Sequence, residues 1–260
     1  MSRSKGYVDA DYLDLAARVM QPLKRRTYEL MQLKPGQRIL DLGCGPGIDT
    51  VALAESVGPA GEVHGVDHDA AMVTEANRRA EAAGLAARVS HRQADASALP
   101  WSDGFFDASR SERVLQHLLD SEKAFAEMVR VTRSGGRVVV LDGDWATFTI
   151  ASDEVELERR LVRFHAERMI NNPYSGRKLG GMFKSLGLQD VHVEGQPVIV
   201  TDYALARRVS RLDEIEQEAL KAGVFDESDS LHWRASLQRA AALGGFFSSV
   251  NGVTVSGRKQ

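Results

Sequence analysis

Arg38-Ile39-Leu40-Asp41-Leu42-Gly43-Cys44-Gly45-Pro46-Gly47 is a short apolar run that ends in three glycines on alternate positions. Ile39, Leu40 and Leu42 read as a strand buried on both faces, as in a parallel sheet. Behind the glycines, Ile48-Asp49-Thr50-Val51-Ala52-Leu53-Ala54 places apolar residues at helical spacing. Strand, glycine turn and helix form the first unit of a nucleotide-binding α/β fold. Glycine permits positive φ and, having no Cβ, lets a ligand approach the backbone. A dinucleotide fingerprint puts its third glycine three residues after the second; here that position is Ile48. No lysine follows the glycines, which excludes a phosphate-cradling P-loop. About twenty residues on, a second apolar run, Glu62-Val63-His64-Gly65-Val66, ends in Asp67, whose carboxylate can accept both hydroxyls of a ribose. The pattern provides for an adenosine and makes no special provision for phosphate.

The neighbouring motifs extend this reading. Leu40 to Gly47 resembles the first motif of class I S-adenosylmethionine-dependent methyltransferases. Gly65-Val66-Asp67-His68-Asp69 with Met72 resembles their second motif, and Ala94-Asp95-Ala96 with Leu99-Pro100 their third. Phe106-Asp107, His117 and Gly135-Gly136-Arg137-Val138 complete the series. The resemblance covers roughly residues 35 to 145 and is nearest to the small-molecule branch typified by quinone-ring methyltransferases. It implies a Rossmann-like, seven-stranded, mostly parallel sheet with helices on both faces and a helical lid. It also implies S-adenosylmethionine as cofactor, held by Asp41, Gly43, Cys44, Gly45, Gly47, Asp67, His68, Met72, Asp95, Ala96 and Ser111. On this resemblance Asp95 accepts from the adenine amino group; the plainer reading makes it a helix cap for Ala96-Ser97-Ala98.

With 260 residues, 43% hydrophobic and 27% charged, the chain is long enough for one α/β domain with insertions. A net charge of −3 gives no basic excess for nucleic acid. The single cysteine, Cys44, has no internal disulfide partner and reads as a space-filler in the glycine turn. Polar opening residues argue against a secretory signal, and no apolar run approaches membrane-spanning length. A cytoplasmic enzyme without a membrane segment is the expectation. The histidines are dispersed, so no metal site is expected.

Residues 7–33 read as two helices divided at Pro22. Lys24-Arg25-Arg26 within them reads as a solvated helix face. Further strands are expected at residues 88–94, 105–109, 137–141, 191–194 and 253–256. Charged residues Arg110 to Arg113 at the end of the fourth strand suggest function or a helix start, and Val114, Leu115, Leu118 and Leu119 read as the inner face of a helix carrying His117. Insertions near 148–174 and 202–243 lie where the resembled family builds its lid. Their apolar and aromatic content suggests a pocket for a moderately apolar small molecule.

Transfer of an activated methyl group is an in-line displacement in which the protein aligns the partners and excludes water. His117 is the candidate general base, with a backbone-bonded helix residue as the plainer alternative; Glu112, Asp144 and His165 are further candidates. Tyr7, Trp145 and His165 are candidate substrate contacts. Asn172-Pro173-Tyr174 is similar to the tetrad of amine-nitrogen methyltransferases but stands in the lid, and reads as a chance match. The expected partner is a small-molecule methyl acceptor. Two other classes stay open: a protein of this fold that binds the cofactor without methylating, and an NAD(P)-dependent oxidoreductase.

Overall fold

The structure, a computed structural model, describes residues 9–260. Seven strands form one sheet: β1 (Arg38–Leu42), β2 (Glu62–Asp67), β3 (Val89–Gln93), β4 (Phe106–Glu112), β5 (Thr132–Ile150), β6 (Gln189–Val200) and β7 (Ser248–Arg258). Their spatial order is β3-β2-β1-β4-β5-β7-β6. The pairs β3–β2, β2–β1, β1–β4 and β4–β5 are parallel, while β7 runs antiparallel to both β5 and β6. The strand order reverses beside β1, and the carboxyl ends of β1, β2 and β4 meet there, where ligands bind in open α/β sheets. The Rossmann-like α/β fold expected from the sequence is the fold observed.

The helices α1 (Ala10–Val19) and α2 (Gln21–Met31) divide as Pro22 requires, with that proline in the first turn of α2. The helices α3 (Ile48–Val57), α4 (Ala70–Ala82), α5 (Ser121–Val131) and α7 (Ser175–Ser185) join strands of the sheet. One core packs β4, β5 and β7 against α5 and α7 through Phe106, Phe125, Val140, Leu179 and Phe183. On α2 and α3, Met31 and Leu53 join Ile39, Val63 and Val139 in a second. The remaining α-helices are α6 (Val155–Phe164), continued by a π-helical turn over His165–Met169, α8 (Tyr203–Val209), α9 (Leu212–Lys221) and α10 (Glu227–Ala242). They close a separate core around Leu161, Leu212, Ile215 and Trp233, with Phe148 contributed by the far end of β5. No helix among the described residues is long and apolar enough to cross a membrane.

Several expectations need correction. β4 does not stop at Ser109 but runs to Glu112, because its charged end is neutralised inside the protein rather than solvated. No full helix carries His117; a single 3₁₀ turn spans Leu115–His117, and Leu119 is 92% exposed. β5 runs from Thr132 to Ile150, not only over 137–141, with an irregularity between Asp144 and Thr149, and β7 begins at Ser248 rather than at 253. Within the second insertion α8 and α9 are separate helices, broken at Ser210-Arg211 where Arg211 takes φ 54°.

Candidate functional site

The glycine turn is pinned from beneath. The Gly43 and Cys44 N–H groups both donate to Val66 O, at 2.7 and 3.0 Å, tying the end of β1 to β2. Gly43, Gly45 and Gly47 take φ of 72°, 51° and 80°, a region that side chains disfavour. A Cβ on Gly43 would fall 2.1 Å from Val114 Cγ2, so no larger residue fits there. A Cβ on Gly47 would meet the Ala76 Cα of α4 at 2.9 Å. Under that turn His91 bonds Asn77 Oδ1 through Nδ1 (2.9 Å) and Thr50 Oγ1 through Nε2 (2.7 Å). Burial lowers the His91 pKa to about 4. Cys44 is buried, and burial raises its thiol pKa well above the ordinary range, as a space-filler requires.

Asp67 closes β2 beside the turn. Its Oδ2 accepts from Gly45 N–H at 2.9 Å, and its Oδ1 accepts from Asp69 N–H at 3.0 Å, with His68 Nδ1 at 3.2 Å. Backbone donors and a neighbouring imidazole thus hold the carboxylate at the mouth of a cavity of about 1480 Å³. Single-ligand pockets measure roughly 300–1,000 Å³, so this space is large enough for more than one small molecule. Gly43, Cys44, Gly45, Asp67, His68, Met72, Asp95 and Ala96 line one part of it; His117, Trp145 and His165 line another. Asp95 closes a turn of its own, Oδ1 accepting from Ser97 N–H and Ser97 Oγ at 2.8 Å each.

Three residues expected at the cofactor do not line this cavity. Asp41 is buried beneath the turn, where its Oδ1 accepts from Arg110 Nη1 at 3.0 Å. Ser111 points its hydroxyl to Leu42 O at 3.1 Å, so it ties β4 to β1. Gly47 packs on α4. Each sits one step below the surface that a ligand would touch. Tyr7 lies outside the described residues.

The floor of the cavity contains a buried charge network that the sequence did not announce. Lys24, expected on a solvated face, is 3% exposed. Its Nζ lies 2.6 Å from Asp49 Oδ2 and 2.7 Å from Glu112 Oε2. Arg110 bonds Glu112 and Thr27 Oγ1 and stands 3.4 Å from Asp49 Oδ2, while Arg113 Nε reaches Glu112 Oε1 at 3.1 Å. Burial acts to raise the Glu112 pKa, but Lys24, Arg110 and Arg113 together hold it well below the carboxylate range. Glu112 is therefore spent on its cations and is a poor base. Asp144, another candidate, is held by Arg177 Nε at 2.7 Å and does not line the cavity.

The upper chamber is apolar with a few aimed polar groups. Trp145 meets His165 edge-on with ring centroids 5.1 Å apart, and Phe148 meets it at 5.9 Å. Both nitrogens of His165 are buried without a hydrogen-bond partner, and burial lowers its pKa to about 4. Burial, helped by Arg113 and Arg211, does the same to His117. The turn bearing His117 is clamped by the segment that follows α6: Asn171 Nδ2 donates to His117 O at 2.7 Å, and Asn172 Nδ2 to Leu115 O at 3.0 Å and also to Leu118 O. Asp142 caps the same turn, accepting from Gln116 N–H at 3.1 Å and Ser175 Oγ at 2.6 Å. Burial raises the Asp142 pKa to about 7. Across the mouth, Tyr12 Oη donates to Val209 O at 2.7 Å, joining α1 to α8. No group of three or more metal-ligating side chains gathers among the described residues.

A glycine turn beside a ribose-type carboxylate, continuous with a largely apolar cavity, defines a class I S-adenosylmethionine-dependent methyltransferase. The chain belongs to the methyltransferase domain family, whose model matches residues 33–187. It is 34% identical over 244 residues to an uncharacterised 37.1 kDa protein of transposon TN4556 from Streptomyces fradiae, covering 93% of this chain and 69% of that one. It is 42% identical over 119 residues to the demethylmenaquinone methyltransferase of Thermus thermophilus, covering 46% of this chain and 53% of that enzyme. Among solved structures, YcgJ from Bacillus subtilis shares the fold with a TM-score of 0.65 at 19% identity, covering 92% of this chain and 99% of that one.

Proposed function

We propose that the chain methylates a small, largely apolar molecule enclosed in the chamber beside Trp145 and His165, with S-adenosylmethionine as donor. The observation that carries this reading is a single cavity that joins the Asp67 carboxylate and the Gly43–Gly45 turn to that chamber. When bound, the cofactor supplies a methyl group already activated on a sulfonium and open to in-line displacement. The residues supply position. Asp67 accepts the two ribose hydroxyls, the bare backbone of Gly43 to Gly45 admits the nucleoside, and Asp95 with Ala96 faces the adenine. Met72 and His68 flank the sugar. Lys24 and the carboxylates around it keep the floor rigid, and rigid alignment of two reactants is worth on the order of 7–11 kcal/mol.

The aromatic and aliphatic walls exclude water and hold the acceptor, while His165 offers it two unpaired ring nitrogens. An unsatisfied buried polar atom costs about 1–3 kcal/mol, so an acceptor that pairs with one binds by that margin over one that does not. The reading is tested by incubating the purified chain with methyl-labelled S-adenosylmethionine and a metabolite extract. Label should pass to a small apolar product with matching release of S-adenosylhomocysteine. Absence of calorimetric heat with either nucleoside, alongside binding of a nicotinamide dinucleotide, overturns it.

A further inference from the structure

Gln116 is buried and lines the cavity, yet no motif marks it. Its Oε1 lies 3.1 Å from Gly143 N and 3.0 Å from Trp145 Nε1. A backbone N–H and an indole N–H are donors only, so the atom facing both must be the amide oxygen. The amide NH₂ consequently faces His117 Nε2, at 2.9 Å. An NH₂ is also a pure donor, so Nε2 must accept. A neutral imidazole with a bare Nε2 carries its hydrogen on Nδ1, and His117 Nδ1 is buried with no partner in the protein.

We infer that Gln116 is a positioning residue that locks His117 as the Nδ1–H tautomer, so that His117 serves the bound acceptor as a hydrogen-bond donor and not as a general base. Its basic nitrogen is occupied by the Gln116 amide, and its free nitrogen already bears a proton. The acceptor implied is a molecule with an oxygen that takes a hydrogen bond, such as a carbonyl, an ether or an oxyanion, seated against His117. Removal of a proton from the acceptor, where the chemistry needs it, falls to another group or precedes binding.

The surroundings are built to keep this arrangement. Gly143 leaves room for the amide, since a Cβ there would lie 3.1 Å from Gln116 Oε1 and 2.9 Å from Trp145 Nε1. The main chain of Gln116 is held on both sides, its N–H by Asp142 Oδ2 and its carbonyl by Asn172 N–H at 2.9 Å. Asn171 holds the carbonyl of His117 itself. A charged His117 would place a second donor against the Gln116 NH₂, and Arg113 and Arg211 already oppose that charge.

The inference rests on the methyl-transfer reading only for what the donor does; the tautomer is a property of the protein alone. The test is side-chain ¹⁵N NMR on the full chain with ¹³C,¹⁵N-labelled protein, the His117 ring being assigned by through-bond correlation to its own backbone resonances. The wild type should show a protonated-type Nδ1 and an unprotonated-type Nε2. In Gln116→Glu one carboxylate oxygen still accepts from Gly143 and Trp145 while the other faces Nε2, so Nε2 should acquire the protonated-type shift, with the Trp145 indole signal reporting an intact fold. An unprotonated-type Nδ1 in the wild type overturns the inference, even if no variant folds. So does a Gln116→Glu spectrum in which His117 is unchanged. If the tautomer is as stated and no methyl transfer is found with any extract, the methyl-transfer reading fails and the lock stands.

Discussion

Lys24→Met is the sharpest test of how the cavity floor is held. The ammonium stands between two carboxylates at 2.6 and 2.7 Å, with its own side chain 4% exposed and those of Asp49 and Glu112 10% and 4%. Methionine keeps most of the apolar stem and removes the charge. Asp49 and Glu112 would then lose the cation they share and be left with Arg110 and Arg113, beside Asp41, whose pKa burial raises to about 7. Removing one partner of a buried ion pair costs about 3–5 kcal/mol, because the remaining charge is desolvated without compensation. A domain of this size loses roughly 2–4 °C of Tm per kcal/mol, which gives a fall of about 6–20 °C. Urea titration followed by circular dichroism measures the free energy, and thermal melting the Tm. The double variant Lys24→Met with Glu112→Gln removes one charge of each sign and should lose less than the two single variants added together. A Lys24→Met protein within about 0.5 kcal/mol of wild type, the range of ordinary surface changes, refutes the argument and restores the solvated helix face.

Four further outcomes follow from the same structure. Asp67→Ala should weaken S-adenosylhomocysteine binding about 10- to 100-fold by calorimetry, since a hydrogen bond to a charged group contributes about 1.5–3 kcal/mol; unchanged affinity removes the ribose assignment. Gly47→Ala should destabilise the chain by about 1–3 kcal/mol in urea melts, because an L-residue at φ 80° is strained and its Cβ meets Ala76 at 2.9 Å. His91, His117 and His165 have pKa values lowered to about 4, so their contribution to stability is complete above the unfolded value of about 6.5 and is lost as pH falls from there through 4. Asp142, raised to about 7, works in the opposite sense over the same window: its contribution is complete below the unfolded carboxylate value of about 4 and is lost as pH rises through 7, so it offsets one of the three histidines and urea midpoints should still fall as pH drops from about 6.5 toward 4. Tyr12→Phe should cost about 1 kcal/mol and speed amide exchange in α8, which loses its tie at Val209 O.

The parts legible in the sequence are those that local chemistry dictates. Three spaced glycines after Leu42 fix a strand, a turn and a helix within twenty residues, and Asp67 follows directly from the end of the next strand. The floor network was not legible because Lys24 finds its partners 25 and 88 residues away, so nothing near Lys24-Arg25-Arg26 distinguishes a buried cation from a solvated one. Arg110 misled in the same way: a charged residue argues against a strand interior until Asp41 and Glu112 are placed beside it. Asp41 and Ser111 were read as cofactor contacts because motif position gives proximity to the site but not which face of the strand a side chain takes. Gln116 was silent altogether. Its role depends on donors from Gly143 and Trp145, and its only visible cue was its place beside His117. The insertions near 148–174 and 202–243 were read as a lid from the resemblance alone, and the break at Arg211, with its φ of 54°, has no local signal in the sequence.

The final strand has a consequence for how the molecule comes into being. β7 lies between β5 and β6 and supplies the hydrogen-bonded neighbour of β6, so the order of synthesis and the order of the sheet disagree on that side. The nucleoside half, β1 to β4, can assemble as the chain emerges. The helices between β6 and β7 stay an open loop until residues 248–258 slot home. The cavity wall formed by Ser248 to Gly252 is then the last part to exist, and a nascent chain carries bare edges on β5 and β6 until residues 248–258 arrive to cover them.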